Sequence, residues 1–283
     1  MSQESEDKLE LEEAAKLAES IAVGEYEEEV EQEGKPVRRR GVYMLPSIIT
    51  LAALFAGFYA IVVAMQGHYV DAVFAIFVAA FCDGMDGRVA RLTNTQSKFG
   101  AELDSLADMV SFGVAPALIM FSWALQPLER WGWAAAFIYV ACAAMRLARF
   151  NTQIGKASNS SFAGLASPPA AGVIITTVWF FTEWGFHDGS DSLAIAIPAA
   201  LLTVLVGLMM VTNIQYNSFK TVNMRGRVPF IVMIGVVMTF SFIAIEPSLM
   251  LMAIAFVYAF SGPVAALCCR IKKNKSKEMP QTD

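Results

Sequence analysis

The sequence predicts an all-α polytopic membrane protein with about eight transmembrane helices, and three observations carry that reading. Hydrophobic residues fill 56% of the 283 positions and charged residues only 17%, a balance that few soluble chains of this size show. Apolar stretches of about 17 to 25 residues recur, each long enough to cross about 30 Å of hydrocarbon as a helix. Lysines and arginines gather on alternate connections between those stretches, as they do in chains sorted by the positive-inside rule.

Taken in order, the chain opens with an acidic arm at 1–37. Thirteen of its 26 acids lie in the first 33 residues, before Arg38, Arg39 and Arg40. Gly24 and the run Glu27, Glu28, Glu29 favour a solvated, partly disordered arm over a stable helix. The net charge of −5 therefore describes the arm, and the remainder is basic on balance. A membrane domain follows at 38–270, with spans expected at 45–65, 70–90, 99–125, 131–147, 170–186, 193–211, 228–245 and 248–269, and a basic cytoplasmic tail at 271–283. The first apolar run starts after residue 40 without a small-residue cleavage site, which argues against a removable signal peptide.

Eight spans place Arg88, Arg91, Lys98, Arg146, Arg149, Lys156, Lys220, Arg225 and Arg227 on one side, with both basic flanks, and leave only Arg130 on the other. Both termini and the connection between spans two and three are therefore expected in the cytoplasm, with the cell membrane as the expected location. Cys82, Cys142, Cys268 and Cys269 lack zinc-type spacing and read as small apolar residues. His68 and His187 fall on the opposite side from the acids discussed next. There is no P-loop, dinucleotide fingerprint, Ser/His/Asp arrangement or internal repeat, and no nucleic-acid partner is expected.

The chemistry concentrates in four aspartates. Asp83 and Asp86 lie three apart on span two, and Asp104 and Asp108 four apart on span three, so each pair shares a helical face. A carboxylate in hydrocarbon costs about 2.5 to 3.5 kcal/mol on insertion scales, so four need a cation or a wet cavity. Pairing with Arg88 and Arg91 at a helix end would explain one such acid, not four in this spacing. Counting back and forward from Asn94 at 1.5 Å per residue places Asp83, Asp86 and Asp104 at roughly 12 to 16 Å and Asp108 at roughly 21 Å. Gly87 continues the Asp83 face and Gly100 precedes Asp104 by four, which leaves room for a bulky ligand. Glu102 points the other way and is expected to be solvated. Oxygen-only ligands suit Mg²⁺ or Mn²⁺, and four carboxylates suit two ions about 3.5 to 4 Å apart, the spacing of sites that clamp phosphate. Arg91 and Lys98 supply fixed positive charge at the mouth of the site. A divalent-cation transporter is the alternative from a different class, but its acids would be expected near the midplane of repeated halves.

The run from Asp83 to Asp108, DGMDGRVARLTNTQSKFGAELDSLAD, resembles the signature of the CDP-alcohol phosphatidyltransferases. Asp83, Asp86, Gly87, Ala90, Arg91, Gly100, Asp104 and Asp108 occupy its fixed positions with both spacings right. The resemblance implies a six-helix core around a cytoplasm-facing cavity, usually in a homodimer, with the last two helices as additions. It implies that Asp83, Asp86 and Asp104 hold metal and that Asp108 is shared between the second metal and catalysis. It also implies that Gly87, Ala90, Arg91 and Gly100 line the site for the CDP-lipid, CDP-diacylglycerol.

Three segments bear on the acceptor alcohol: Arg146 to Asn151 at the end of span four, Phe162 to Ala171 entering span five, and Tyr216 to Lys220 after span six. They resemble the phosphatidylserine synthase branch of the same family, with Ala166 where proline and Pro169 where alanine would be expected. That resemblance implies L-serine as acceptor. Serine brings a carboxylate and an ammonium beside its hydroxyl, and Arg146, Arg149, Asn151 and Lys220 are the cytoplasmic-side polar groups available to it. Glycerol 3-phosphate could use the same cations, and inositol stands as a third candidate.

Overall fold

In the computed structural model, residues 29–32, 35–38, 44–93, 98–153, 164–186, 193–214 and 230–277 are described. Within the arm, β1 (Glu29–Gln32) and β2 (Lys35–Arg38) pair antiparallel, with Val30 opposite Val37 and Glu29 opposite Arg38. This small hairpin was not expected from so acidic a segment. A valine in each strand and an acid opposite a base are the kinds of cross-strand pair that favour it.

Eight helical segments follow among the described residues, labelled by their α-helical parts α1 (Met44–Met65), α2 (Tyr69–Leu92), α3 (Lys98–Asp108, its segment running on to Leu128), α4 (Arg130–Gln153), α5 (Ser167–Glu183), α6 (Leu193–Val211), α7 (Phe230–Ile245) and α8 (Pro247–Lys277). Each matches one expected apolar stretch. Five helical segments, Pro46–Met65, Phe99–Leu128, Arg130–Thr152, Leu193–Val211 and Pro247–Ala265, are long and apolar enough to cross a membrane. Of the other three, α2 carries five charged residues, Asp71, Asp83, Asp86, Arg88 and Arg91, and α5 and α7 have only 17 and 16 residues. α8 continues through Arg270 to Lys277, so the basic segment expected as a separate tail begins inside a helix.

α1 and α2 form the most extensive helix pair, for a reason visible in the sequence. Ala53, Ala56, Ala60 and Ala64 on α1 and Ala72, Ala75 and Ala79 on α2 are all buried, so backbones approach closely where side chains are smallest. The same stripe receives the third span. A Cβ on Gly57 would sit 2.8 Å from Ser111 Cα, so only glycine admits that crossing, and the Ser111 hydroxyl donates to the Ala53 carbonyl at 3.1 Å.

The third span is the central column. Beyond Asp108 it widens into a π-helical stretch (Met109–Val114), returns to α-helix (Ala115–Met120), widens again (Phe121–Leu125) and ends in a 3₁₀ turn (Gln126–Leu128). Phe112, Ile119, Met120, Trp123 and Leu125 are at most 1% exposed there. Pro116 explains part of the irregularity, because it has no N–H to offer the Phe112 carbonyl one turn back. Tyr139 of α4 donates its hydroxyl to that carbonyl at 3.1 Å instead.

α4 packs on α6, where Gly207 lies against the Tyr139 backbone, and α8 packs on α5. α7 packs mainly on α8, and its described side chains are almost all exposed, among them Met233, Val237, Phe240 and Phe242. Exposed rings also line α1 and α2, at Phe55, Phe58, Phe74 and Phe81. Water would penalise so much contiguous apolar surface, whereas lipid accepts it. The molecule is a multi-pass integral membrane protein.

Candidate active site

α2 and α3 are antiparallel neighbours in sequence, and their facing edges carry the four aspartates. Carboxylate oxygens of Asp83, Asp104 and Asp108 lie within 4.8 Å of one another. Asp83 and Asp108 are in hydrogen-bonding contact. The level count from Asn94 put Asp108 apart and Asp86 with the others; the grouping found is different. α2 ends at Leu92 and α3 begins at Lys98, so these two ends, rather than Asn94, are the reference points for depth. Measured from the helix ends, Asp83 and Asp108 are roughly 14 and 15 Å deep, whereas Asp86 and Asp104 are both roughly 9 Å deep.

Asp86 is only 5% exposed and stands within electrostatic range of Asp83 and Asp104. Its Oδ2 accepts a hydrogen bond from the Thr50 hydroxyl of α1 at 2.7 Å. Thr50, itself 4% exposed, was missed in the sequence reading, although a hydroxyl in an otherwise apolar span was its signal. Ser105 was missed as well. It lies between Asp104 and Asp108 in sequence, accepts from Asn151 Nδ2 of α4 at 3.0 Å, and donates to the Ala101 carbonyl at 3.0 Å. Asn151, expected to contact an acceptor, therefore ties the end of α4 to the aspartate-bearing helix.

Arg146 is the cation nearest the cluster from α4, within electrostatic range of Asp108, and its Nη1 donates to Ser167 Oγ at the start of α5. The turn before Ser167 is fixed by Gly164, whose φ of +90° suits glycine, and by bonds from Gly164 N to the Ile214 carbonyl and from Leu165 N to the Met209 carbonyl. Arg149 is half-buried at the same end of α4. Lys220 lies outside the described residues.

On the nucleotide side, a Cβ on Gly87 would meet nothing within 4 Å, so this face of α2 is open as expected. Arg91 is exposed and its Nε donates to the Gly87 carbonyl at 2.9 Å, which folds the guanidinium back along its own helix. Ala90 and Gly100 are half-buried on the two facing helices, Lys98 opens α3, and Glu102 is exposed as expected.

The donor set is carboxylate only, which fits hard divalent cations. Two ligands of one Mg²⁺, each at about 2.0 to 2.1 Å, lie at most about 4.2 Å apart, so oxygens already this close need only small side-chain movements to share an ion. Like charges so near one another repel unless a proton or cation lies between them.

The sequence model for CDP-alcohol phosphatidyltransferase matches residues 43–261, which takes in α1 to α7 and the first half of α8. The last two helices, expected as additions to a six-helix core, thus lie largely inside the matched region. A Helicobacter pylori protein named CDP-diacylglycerol–serine O-phosphatidyltransferase is 35% identical over 240 residues, covering 83% of this chain and 98% of that protein. Proteins of the same name from Bacillus subtilis, 32% identical over 62% of this chain and 91% of that protein, and from Mycobacterium bovis, 38% identical over 53% of this chain and 60% of that protein, are also similar.

Proposed function

The chain belongs to the CDP-alcohol phosphatidyltransferase family, and from that premise we propose that it transfers a phosphatidyl group from CDP-diacylglycerol to L-serine, giving phosphatidylserine and CMP. The observation that carries the chemistry is the meeting of Asp83, Asp104 and Asp108, with Asp86 beside them, on two facing helices. The choice of serine rests on the name of the Helicobacter pylori relative, which this chain matches over nearly its whole length.

Two divalent ions, Mg²⁺ or Mn²⁺, held by Asp83, Asp86, Asp104 and Asp108 would draw charge from the diphosphate and ease departure of CMP. The open face at Gly87 leaves the diphosphate room to approach α2, with Ala90, Gly100, Arg91 and Lys98 around it. Asp108 accepts the proton of the serine hydroxyl as its oxygen bonds to the β-phosphorus, the atom that carries the diacylglycerol. The bond from that phosphorus to the bridging oxygen breaks, and CMP leaves with the electron pair. Arg146, held by Ser167, faces the serine carboxylate, with Arg149 as a further cation at that end of α4, and Lys220 is a further acceptor-binding candidate on sequence grounds. The reaction is read as direct displacement because the signature leaves no spare nucleophile. The active site and both termini face the cytoplasm from the cell membrane, and the unit is a homodimer.

The test compares acceptors. Purified protein with CDP-diacylglycerol and Mn²⁺ or Mg²⁺ should release CMP when serine is added, and not with glycerol 3-phosphate or inositol. CMP release that depends on glycerol 3-phosphate but not serine would overturn the acceptor and leave the aspartate chemistry standing. Reconstituted vesicles that take up metal without CDP-lipid, and release no CMP, would favour a transporter instead.

A further inference from the structure

We propose that Thr50 of α1 is a positioning residue that fixes the carboxylate of Asp86 for the second metal ion. The inference rests on the two-ion reading above. Asp86 is the aspartate outside the group whose oxygens already meet, and it is also the most buried of the four. An aspartate side chain has two rotatable bonds and two equivalent oxygens, so a ligand role requires something to choose its rotamer. The Thr50 hydroxyl does so. It reaches Asp86 Oδ2 at 2.7 Å and the Pro46 carbonyl at 3.0 Å, and with a single proton it serves the shorter, charged acceptor preferentially.

The Asp86 carboxylate also has a backbone hydrogen bond with Gly87, so it is held from its own helix as well as from α1, and Thr50 is the side chain that holds it from the neighbouring helix. The Thr50 bond runs from α1 to α2 across the tightly packed alanine face, so Thr50 cannot drift without disturbing that face. As a β-branched residue in a helix, threonine has few rotamers, one more restraint on the hydroxyl. Partners that orient metal ligands in this way typically change metal affinity about 10- to 100-fold when removed.

The test reads metal directly. Mn²⁺ binding to purified wild-type protein, Thr50→Val, Thr50→Ser, Asp86→Asn and the Thr50→Val/Asp86→Asn double variant is followed by electron paramagnetic resonance. Thr50→Val keeps the shape and removes the donor, and should weaken the second Mn²⁺ about 10-fold or more. Thr50→Ser should stay within about twofold of wild type, because the hydroxyl is retained. The double variant should bind no worse than Asp86→Asn alone, since the hydroxyl then has no carboxylate to position. Wild-type Mn²⁺ affinity in Thr50→Val, or losses that add in the double variant, would overturn the proposal. If Thr50→Val does not fold, Thr50→Ala takes its place, and equal weakening by Thr50→Ala and Thr50→Ser counts against the hydroxyl. None of these readings depends on turnover: wild-type protein that binds two Mn²⁺ yet releases no CMP with serine contradicts the function and leaves Thr50 standing, and wild-type protein that binds fewer than two overturns both.

Discussion

Asp83 and Asp108 lie in hydrogen-bonding contact at matched depths on α2 and α3, and the roles proposed for the four acids predict different outcomes for their variants. Asp83→Asn, Asp86→Asn and Asp104→Asn should each abolish CMP release and weaken metal-dependent CDP-diacylglycerol binding, because each removes a charge that offsets the cation. Asp108→Asn should stop turnover while leaving CDP-diacylglycerol binding largely intact, which equilibrium binding with and without EDTA would check. Near-normal turnover in Asp104→Asn would count against the two-ion site. The acids themselves are legible in the sequence because charge inside an apolar run is costly and therefore purposeful. Thr50 and Ser105 are not: a hydroxyl can satisfy itself on the carbonyl one turn back, as Thr176, Thr177 and Thr203 do here, so hydroxyls in helices carry little signal until a neighbouring helix is placed.

Among the elements, the third span decides the geometry. Ser111 follows Asp108 by three residues, and its contact with Gly57 sets how closely the column approaches α1. Gly57→Leu should lower thermal stability in detergent by about 1 to 3 kcal/mol, the usual range for overpacking, and should reduce turnover by shifting Asp108. Unchanged stability and activity would mean the crossing relaxes freely. Boundaries of the apolar elements are legible because hydrocarbon tolerates few charges: α6 covers the same residues, 193–211, as the expected stretch. The π-helical widening after Asp108 is not legible, since Pro116 announces an irregularity without saying which form it takes. The level of Asp108 is not legible for a related reason, because a count from Asn94 does not know that α2 ends at Leu92 and α3 begins at Lys98.

At the scale of the whole molecule, rings turned outward on α1, α2 and α4 and a small-residue interior describe, among the described residues, a bundle suited to lipid outside with an aspartate cluster inside. In the proposed topology, eight spans with basic residues on alternate connections would put both termini on the cytoplasmic side. Single cysteines introduced near either end, in a chain with its four natural cysteines replaced, should resist impermeant maleimides in intact cells and react after lysis. Labelling of one end in intact cells would require an odd number of spans. The central claim, that the aspartate cluster performs the transfer to serine, is tested most directly by following labelled serine in vesicles that contain the purified protein and CDP-diacylglycerol. The label should pass into extractable lipid with one CMP released per serine, should stop with EDTA, and should be absent with Asp104→Asn. Labelled lipid formed equally well by Asp104→Asn, or in the presence of EDTA, would contradict the account.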